Sequence, residues 1–449
     1  MKKISILGAG ESGIGAALLA KYHGYEVFVS DAGSISASRK ASLEKEDVAF
    51  EENHHSIDQI LTGEEVIKSP GISLENEVVK QILAAGIPII DELEFASRYS
   101  EGRIIAITGT NGKTTTTLLT NHLLQTAGMD VGMAGNVGKS WAGQLVERDH
   151  EWWVLEVSSF QIDGFKKLKP SVAIVINITP DHLDRYGYSL EKYIHSKLNL
   201  LANMAEVDHL IYFREDQNII KGLNDLKVHP QVHEVSLQKM TANGGYYDQE
   251  EVRIDYGKGT LTVPREDVSL KGNHNMINVM CAVSAVLIAG ADEAPIREGL
   301  ISFKNAAHRM ERVEEIGGVT FINDSKGTNV DATAYALAAF NEPLIWIAGG
   351  VDKGNDYAQI YPLVKDHVRM LICLGKDNGK LLKAFEGIVD EIIETQDISE
   401  AVRLAQEKGK LGDVVLLSPA CASFDLFRNY EDRGDQFKEA VRSLKERVG

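Results

Sequence analysis

The stretch IIAITGTNGKTTTTLLTNHLL, residues 104–124, limits the fold of this chain more than any other feature. Ile104–Ile107 is an apolar run that ends in a turn flanked by glycines, and a helix-forming segment begins at the lysine. A buried strand that feeds a helix so directly opens a strand–helix–strand unit, so a parallel sheet is expected. The turn also carries chemistry, because backbone N–H groups at a helix N-terminus bind phosphate oxygens. Gly109 and Gly112 supply permissive backbone around Thr110 and Asn111, Lys113 a positive charge, and Thr114 and Thr115 hydroxyls. The common phosphate loop, G-x-x-x-x-G-K-[ST], has a glycine where this chain has Ile107, so the loop here is a shortened version.

The same alternation recurs on either side. ISILG (4–8) and YEVFVS (25–30) read as buried strands around a helix at about 12–23. After the polar ASRYSEGR, the phosphate loop starts a second unit with strands EWWVLEV (151–157) and SVAIVINI (171–178) and a hairpin turning at Gly257–Gly259. From about residue 300, VTFIND, PLIWIAGG, RMLICLG and DVVLLSP give a third alternation. The expected architecture is α/β in three domains with mostly parallel sheets: a Rossmann-like domain at 1–93, a central P-loop ATPase-like domain at 94–300, and a Rossmann-like domain at 301–449.

A formal net charge of -18 argues against partners such as nucleic acid or an anionic membrane, which are held by clustered Lys and Arg. It leaves room for a small anionic ligand in a locally basic cleft. Cys281, Cys373 and Cys421 lie far apart with no C-x-x-C, which fits a reducing compartment. The apolar start of the chain is interrupted by Gly8, Gly10 and Glu11, and VMCAVSAVLIAGA (279–291) is too short to span a bilayer. A cytoplasmic monomer is expected.

Several residues have the character of a site. Glu156 ends an apolar strand, as an acid that helps a phosphate loop hold a metal would. NITPDHLDRYG places Asp181, His182, Asp184 and Arg185 just past another strand, where ligands of open α/β sheets sit. GAGESG (Gly8, Gly10, Gly13) with Asp31 after the second strand is a dinucleotide-type fingerprint, and alone it favours NAD. Glu11 inside the phosphate turn and a complete ATP loop in the next domain point elsewhere.

GTNGKTTTT, EVSSFQ, NITPDHLDRYG and SKLNLL, in this order, resemble the ATP-dependent Mur ligase family, which includes folylpolyglutamate synthetase. The shortened loop is similar to that family's own form of the motif. The resemblance implies that ATP phosphorylates a substrate carboxylate, an amine attacks the acyl phosphate, and an amide, ADP and phosphate result. It implies that Gly109, Thr110, Asn111, Gly112, Lys113, Thr114 and Thr115 hold the phosphates, and that Asn275 and Asn278 in KGNHNMINV lie by the adenine. Thr114 and Glu156 would hold one Mg²⁺; His182 and a carbamylated Lys197 would hold a second. Lys113, Glu156, His182 and Lys197 form the implied catalytic set.

In family members acting early in their pathway, the first domain binds the UDP of a UDP-muramoyl substrate. Folylpolyglutamate synthetase lacks such a domain and is disfavoured. The implied contacts are Gly10, Glu11, Ser12, Asp31, Ser69, Pro70 and Gly71, with Asn136, Ser158 and Gln161 from the central domain. HRME (His308, Arg309), NDSKGTNVDAT, AGGVDKG and LSPACASFDLFRNYEDRGDQF resemble the family's D-glutamate-adding members, whose small-molecule partners are UDP-N-acetylmuramoyl-L-alanine and D-glutamate. Arg309 and Asp324 would join the ATP site, and Lys326, Thr328, Lys353, Ser423, Phe424 and Tyr430 would hold an amine substrate with two carboxylates. An L-alanine-adding member is the alternative; it usually carries His where this chain has Asn111. A nucleotide-binding regulator without ligase chemistry is a third reading, and it leaves His182 and Lys197 unexplained. Closure about a linker near 298–306 is expected before chemistry.

Overall fold

The computed structural model describes residues 2–226, 230–239, 244–257, 259–352 and 354–448. They form two compact units, one of residues up to Ser269 with Met276–Phe303, the other of Leu270–Asn275 with the residues from Lys304 onward.

The first unit holds two sheets. In the first, the strands run Ala49–Glu51, Glu26–Ser30, Lys3–Leu7, Glu65–Lys68 and Ile89–Ile90 across the sheet, all parallel. The chain starts in the middle, builds outward to one edge and then crosses to the other side of its first strand. That reversal leaves a crevice at the C-terminal ends of Lys3–Leu7 and Glu65–Lys68. The second sheet has nine strands and places Arg103–Thr108 between Val172–Val175 and Trp152–Glu156. Trp152 and Trp153 point to opposite faces of one strand and both are fully buried, so helices cover both faces. At the far edge, Glu251–Asp255 and Thr260–Pro264 pair antiparallel, the hairpin expected from sequence.

The two sheets are fastened together closely. A Cβ on Gly15, in helix Glu11–Tyr22, would sit 1.9 Å from Ser140 Oγ and 2.8 Å from the Gly143 nitrogen, so only glycine permits this approach to helix Trp141–Leu145. Helix Glu92–Ala96 adds two buried acids. Glu92 Oε1 accepts the Ser140 hydroxyl at 2.8 Å and the Ala142 N–H at 2.6 Å. Glu94 Oε2 accepts three successive amides, Lys166, Lys167 and Leu168, at 2.9, 3.0 and 2.8 Å.

The second unit contains a six-stranded sheet ordered Glu311–Ile316, Val319–Asn323, Val414–Leu417, Leu344–Ala348, Val368–Leu374 and Glu391–Thr395. Its first pair is antiparallel and the rest parallel, with an apolar cluster on each face. Two sequence expectations need correcting. Helix Glu293–Ser302 runs through the first half of the expected 298–306 linker, because Ile296 and Leu300 stay buried on one face and Gly299 packs against Leu123. The strand expected at 171–178 ends at Val175, and the following residues leave the sheet to grip the phosphate loop.

Candidate active site

The crevice of the first sheet gathers seven of the residues expected at the sugar nucleotide. Gly10 caps helix Glu11–Tyr22, with Glu11 and Ser12 in its first turn. Asp31 Oδ2 accepts the Ala9 N–H at 2.6 Å and Oδ1 accepts the Gly33 N–H at 2.7 Å, so its carboxylate holds the turn beside it. Ser69, Pro70 and Gly71 follow the neighbouring strand Glu65–Lys68, and Ser69 Oγ approaches the Gly8 carbonyl at 3.5 Å.

At the centre of the second sheet, strand Arg103–Thr108 ends in the glycine turn and helix Lys113–Thr126 begins at its lysine. Gly112 has φ 87, the left-handed region, and a Cβ there would lie 2.4 Å from Asn278 Oδ1. Asn278 is therefore seated against the loop within the first unit. Lys113 Nζ folds back to donate to the Gly109 and Thr110 carbonyls at 2.7 and 2.8 Å. Thr114 and Thr115 are buried in the first turn of the helix.

The loop takes its shape from the chain beyond Val175. Asn177 Oδ1 accepts the Asn111 N–H at 2.8 Å, its Nδ2 donates to the Asn111 carbonyl at 3.1 Å, and its own carbonyl accepts the Thr110 N–H at 2.9 Å. Thr110 Oγ1 donates to the Thr179 carbonyl at 3.0 Å and accepts the Thr179 N–H at 3.0 Å. The segment that carries His182 is thereby laced to the phosphate loop. His182 sits in the left-handed region at φ 52, its N–H donates to Asp181 Oδ1 at 2.9 Å, and its Nε2 lies 3.6 Å from Asp181 Oδ2.

Lys197, on helix Leu190–Leu198, is 1% exposed and donates from Nζ to the Gly109 carbonyl at 2.8 Å, with the Tyr193 ring centre 4.7 Å away. Burial lowers its pKa well below the ordinary lysine value, and the Lys113 charge lowers it further against the opposing pull of Asp181, Asp163 and Glu156. Such an amine is neutral more readily than a surface lysine, and the neutral amine is the form that adds carbon dioxide. Glu156 is 2% exposed. Its Oε1 accepts the Asn136 amide at 2.8 Å, while Oε2, buried, has no hydrogen-bond partner among the described residues. An orphaned carboxylate oxygen is costly unless a cation meets it. Among the described residues no group of three His, Cys, Asp or Glu side chains is placed to hold a metal ion, so Glu156 would be the carboxylate of such a site. That donor set suits Mg²⁺, which takes one or two protein carboxylates and fills its shell with water and substrate phosphates.

These elements surround a cavity of about 270 Å³. Pro70, Gly71, Thr110, Lys113, Asn136, Ser158, His182 and Lys197 line it, together with Ser159, Phe160, Asp181 and Tyr193. Gln161 stands behind Ser158, its Oε1 accepting the Ser158 N–H at 2.9 Å in a capping box. A second cavity of about 290 Å³ shares the Pro70 and Phe160 wall. Phe160 lies edge-on to His182 at 5.4 Å and under the Arg185 guanidinium at 4.5 Å.

The second unit holds the remaining residues. Asn275 is buried and donates to the Lys271 carbonyl at 2.7 Å. Asp324 is buried where strand Val319–Asn323 ends, and burial pushes its carboxyl up to about 7 against the Ser418 hydroxyl at 2.8 Å and the Arg309 charge. Lys326 Nζ stands 3.7 Å over the Tyr430 ring, and the Thr328 N–H donates to the Lys326 carbonyl at 2.9 Å. Ser423 is buried and Phe424 is 73% exposed. Lys353 lies outside the described residues. Sequence reasoning missed Arg433, 1% exposed, which donates to Ser325 and to the Gly349 and Cys421 carbonyls and so braces the loops around Lys326 and Ser423. It also missed Asn177 and Lys68. An amide right after an apolar strand, and a lysine at the end of another, were the available signals.

Residues 3–78 match the MurD N-terminal domain, 107–286 the Mur ligase middle domain, and 308–421 the Mur ligase glutamate ligase domain. The chain is 48% identical over 443 residues to the UDP-N-acetylmuramoylalanine–D-glutamate ligase of Christiangramia forsetii, covering 99% of this chain and 100% of that one. It is 47% identical over 446 residues to the protein of the same name from Cytophaga hutchinsonii, covering 99% of each. In fold it is similar to the UDP-N-acetylmuramate–alanine ligase of Thermotoga maritima, with a TM-score of 0.62 at 20% identity, covering 99% of this chain and 100% of that one.

Proposed function

The chain belongs to the Mur ligase family, and from that premise we propose that it joins D-glutamate to UDP-N-acetylmuramoyl-L-alanine with ATP, in the cytoplasmic synthesis of peptidoglycan precursor. The observation that carries this reading is the single cavity in which the phosphate-loop lysine, His182, Lys197 and the Ser69–Gly71 turn converge. A ligase of this kind must bring a phosphoryl donor and a carboxylate together, and the elements that would bind phosphate and sugar nucleotide both line this cavity.

A carboxylate is a poor electrophile at neutral pH. In the proposed reaction an oxygen of the L-alanyl carboxylate forms a bond to the γ-phosphorus as the bond to the β-phosphate oxygen breaks, releasing ADP. The D-glutamate nitrogen then adds to the carbonyl carbon of the acyl phosphate, and the tetrahedral adduct expels inorganic phosphate while the nitrogen loses a proton. Positioning and charge neutralisation are the protein's share of this work. The loop amides and Lys113 would bind the phosphates; Asn136 would hold Glu156 in place through its amide. Thr114 and Glu156 would hold one Mg²⁺ and His182 and carbamylated Lys197 another, and the ions would supply charge neutralisation for the phosphates. Carbamylation converts the Lys197 amine and carbon dioxide into a carbamate anion and a proton. The low pKa of that amine and its burial support this step. Asn275, Asn278, Arg309 and Asp324 would complete the ATP site. In the second unit Lys326, Thr328, Lys353, Ser423, Phe424 and Tyr430 would hold D-glutamate with its two carboxylates.

The test is amino-acid-dependent ADP release. Purified protein with Mg²⁺, ATP and UDP-N-acetylmuramoyl-L-alanine should release ADP and phosphate steadily with D-glutamate. Equal turnover with L-alanine and the unextended sugar nucleotide would defeat the assignment.

A further inference from the structure

The turn Ser69–Ile72 is unusual in where its carbonyls go. The Ile72 N–H donates to the Ser69 carbonyl at 3.1 Å, closing the turn. Lys68, the residue just before it, folds its side chain underneath, and Nζ donates to the Ser69 carbonyl at 3.0 Å and the Ile72 carbonyl at 2.7 Å. Arg185, from the His182 loop, approaches the Gly71 carbonyl at 3.5 Å. Three of the turn's carbonyls are thus drawn toward two cations that line the second cavity, not the first. Gly71 itself lines the first cavity, and among the described residues its N–H has no partner.

Lys68 is not there to satisfy a carboxylate. It is 8% exposed, and among the described residues the hydrogen bonds of its Nζ go to the Ser69 and Ile72 carbonyls. Burial lowers its pKa; Asp91 and Asp163 oppose that shift at longer range and Arg185 adds to it. A buried cation bound only by carbonyls has a function in where it puts those carbonyls. Carbonyl oxygens facing the first cavity would repel an anion; turned away, they leave N–H groups toward it.

We propose that Lys68, assisted by Arg185, is a positioning residue for the sugar-nucleotide substrate. By holding the carbonyls of Ser69, Gly71 and Ile72 on the far side of the turn, it presents the Gly71 N–H to an anionic oxygen of that substrate. The inference rests on the proposed ligase reading. It sets Lys68 apart from a core lysine, because its removal acts on one substrate and not on the other.

The experiment is steady-state kinetics of Lys68→Met and Lys68→Arg in the full chain, with the melting temperature of each. Wild-type turnover with D-glutamate is established first, so failure of the ligase reading is seen separately. Lys68→Met should raise KM for UDP-N-acetylmuramoyl-L-alanine about tenfold or more, leaving KM for ATP within twofold. Lys68→Arg should restore most of the loss, since the adjoining cavity has room for a longer side chain that still donates to carbonyls. Arg185→Leu, on a half-exposed residue whose loss the fold tolerates better, should move the same KM in the same direction by a smaller factor. An unchanged sugar-nucleotide KM in Lys68→Met overturns the proposal. So does an equal change in both KM values, or, if Lys68→Met does not fold, an unchanged KM in Arg185→Leu.

Discussion

At the residue scale, Asn177 and Lys197 make the sharpest predictions. Asn177 holds both the N–H and the carbonyl of Asn111 as a second strand would, so its side chain fixes the loop's shape. Each bond contributes about 1 kcal/mol net, and 1.4 kcal/mol is tenfold in affinity. Losing both bonds, Asn177→Ala should raise KM for ATP roughly thirtyfold by this arithmetic, with the sugar-nucleotide KM little changed; titration with ATP checks it. Lys197→Ala should lose turnover and recover part of it with a short-chain carboxylic acid that supplies the missing anion. An active variant, or no rescue by any such acid, counts against carbamylation. The residues that announce phosphate chemistry were legible because their types are uncommon together: glycines, a lysine and threonines at a helix start. Asn177 and Lys68 were not, because their work is done through backbone groups that a sequence does not display.

At the scale of elements, the short helix Glu92–Ala96 does more than its length suggests. Burial holds the Glu92 carboxyl protonated up to about 7, against the Ala142 N–H and Ser140 hydroxyl that favour its charged form. In the unfolded chain it ionises near 4.5. The folded state therefore binds the extra proton between those values, so the contribution of this group is full below 4.5 and is lost as pH rises toward 7. Glu92→Gln cannot ionise and keeps an oxygen for both donors. Its stability relative to wild type should improve by up to roughly 3 kcal/mol between acid and mildly alkaline pH, read by urea denaturation at each pH. A pH-independent difference would show that Glu92 is charged in the fold. Gly15→Val, by contrast, should cost about 3 kcal/mol at any pH through overpacking on Ser140 and Gly143. Most strands and helices were readable from apolar runs and their periodicity. The hold between helices Glu11–Tyr22 and Trp141–Leu145 was not, since a glycine in a helix announces flexibility as readily as close contact. The end of strand Val172–Val175 was overrun for a related reason: Ile176 and Ile178 are as apolar and buried as strand residues, yet Asn177 between them bonds to the loop and the Ile178 N–H donates to Asp216.

At the scale of the whole molecule, three rounds of α/β alternation were plain in the sequence, and the structure divides them into two compact units. The reason is the acid helix and the glycine contact, which tie the first two sheets into one unit. The chain passes between units at Ser269–Leu270, Asn275–Met276 and Phe303–Lys304, so ligand-driven closure should pivot at these crossings and not inside helix Glu293–Ser302. Small-angle scattering should show a smaller radius of gyration with ATP analogue and sugar nucleotide than without; identical profiles would refute closure. Phe160, the wall between the two cavities, has a consequence for inhibitor chemistry. A compound that swings this ring aside would extend from one chamber into the next, and a mutation that shut it out would also disturb the packing of His182 and Arg185. Escape from such a compound would come at the enzyme's own working parts.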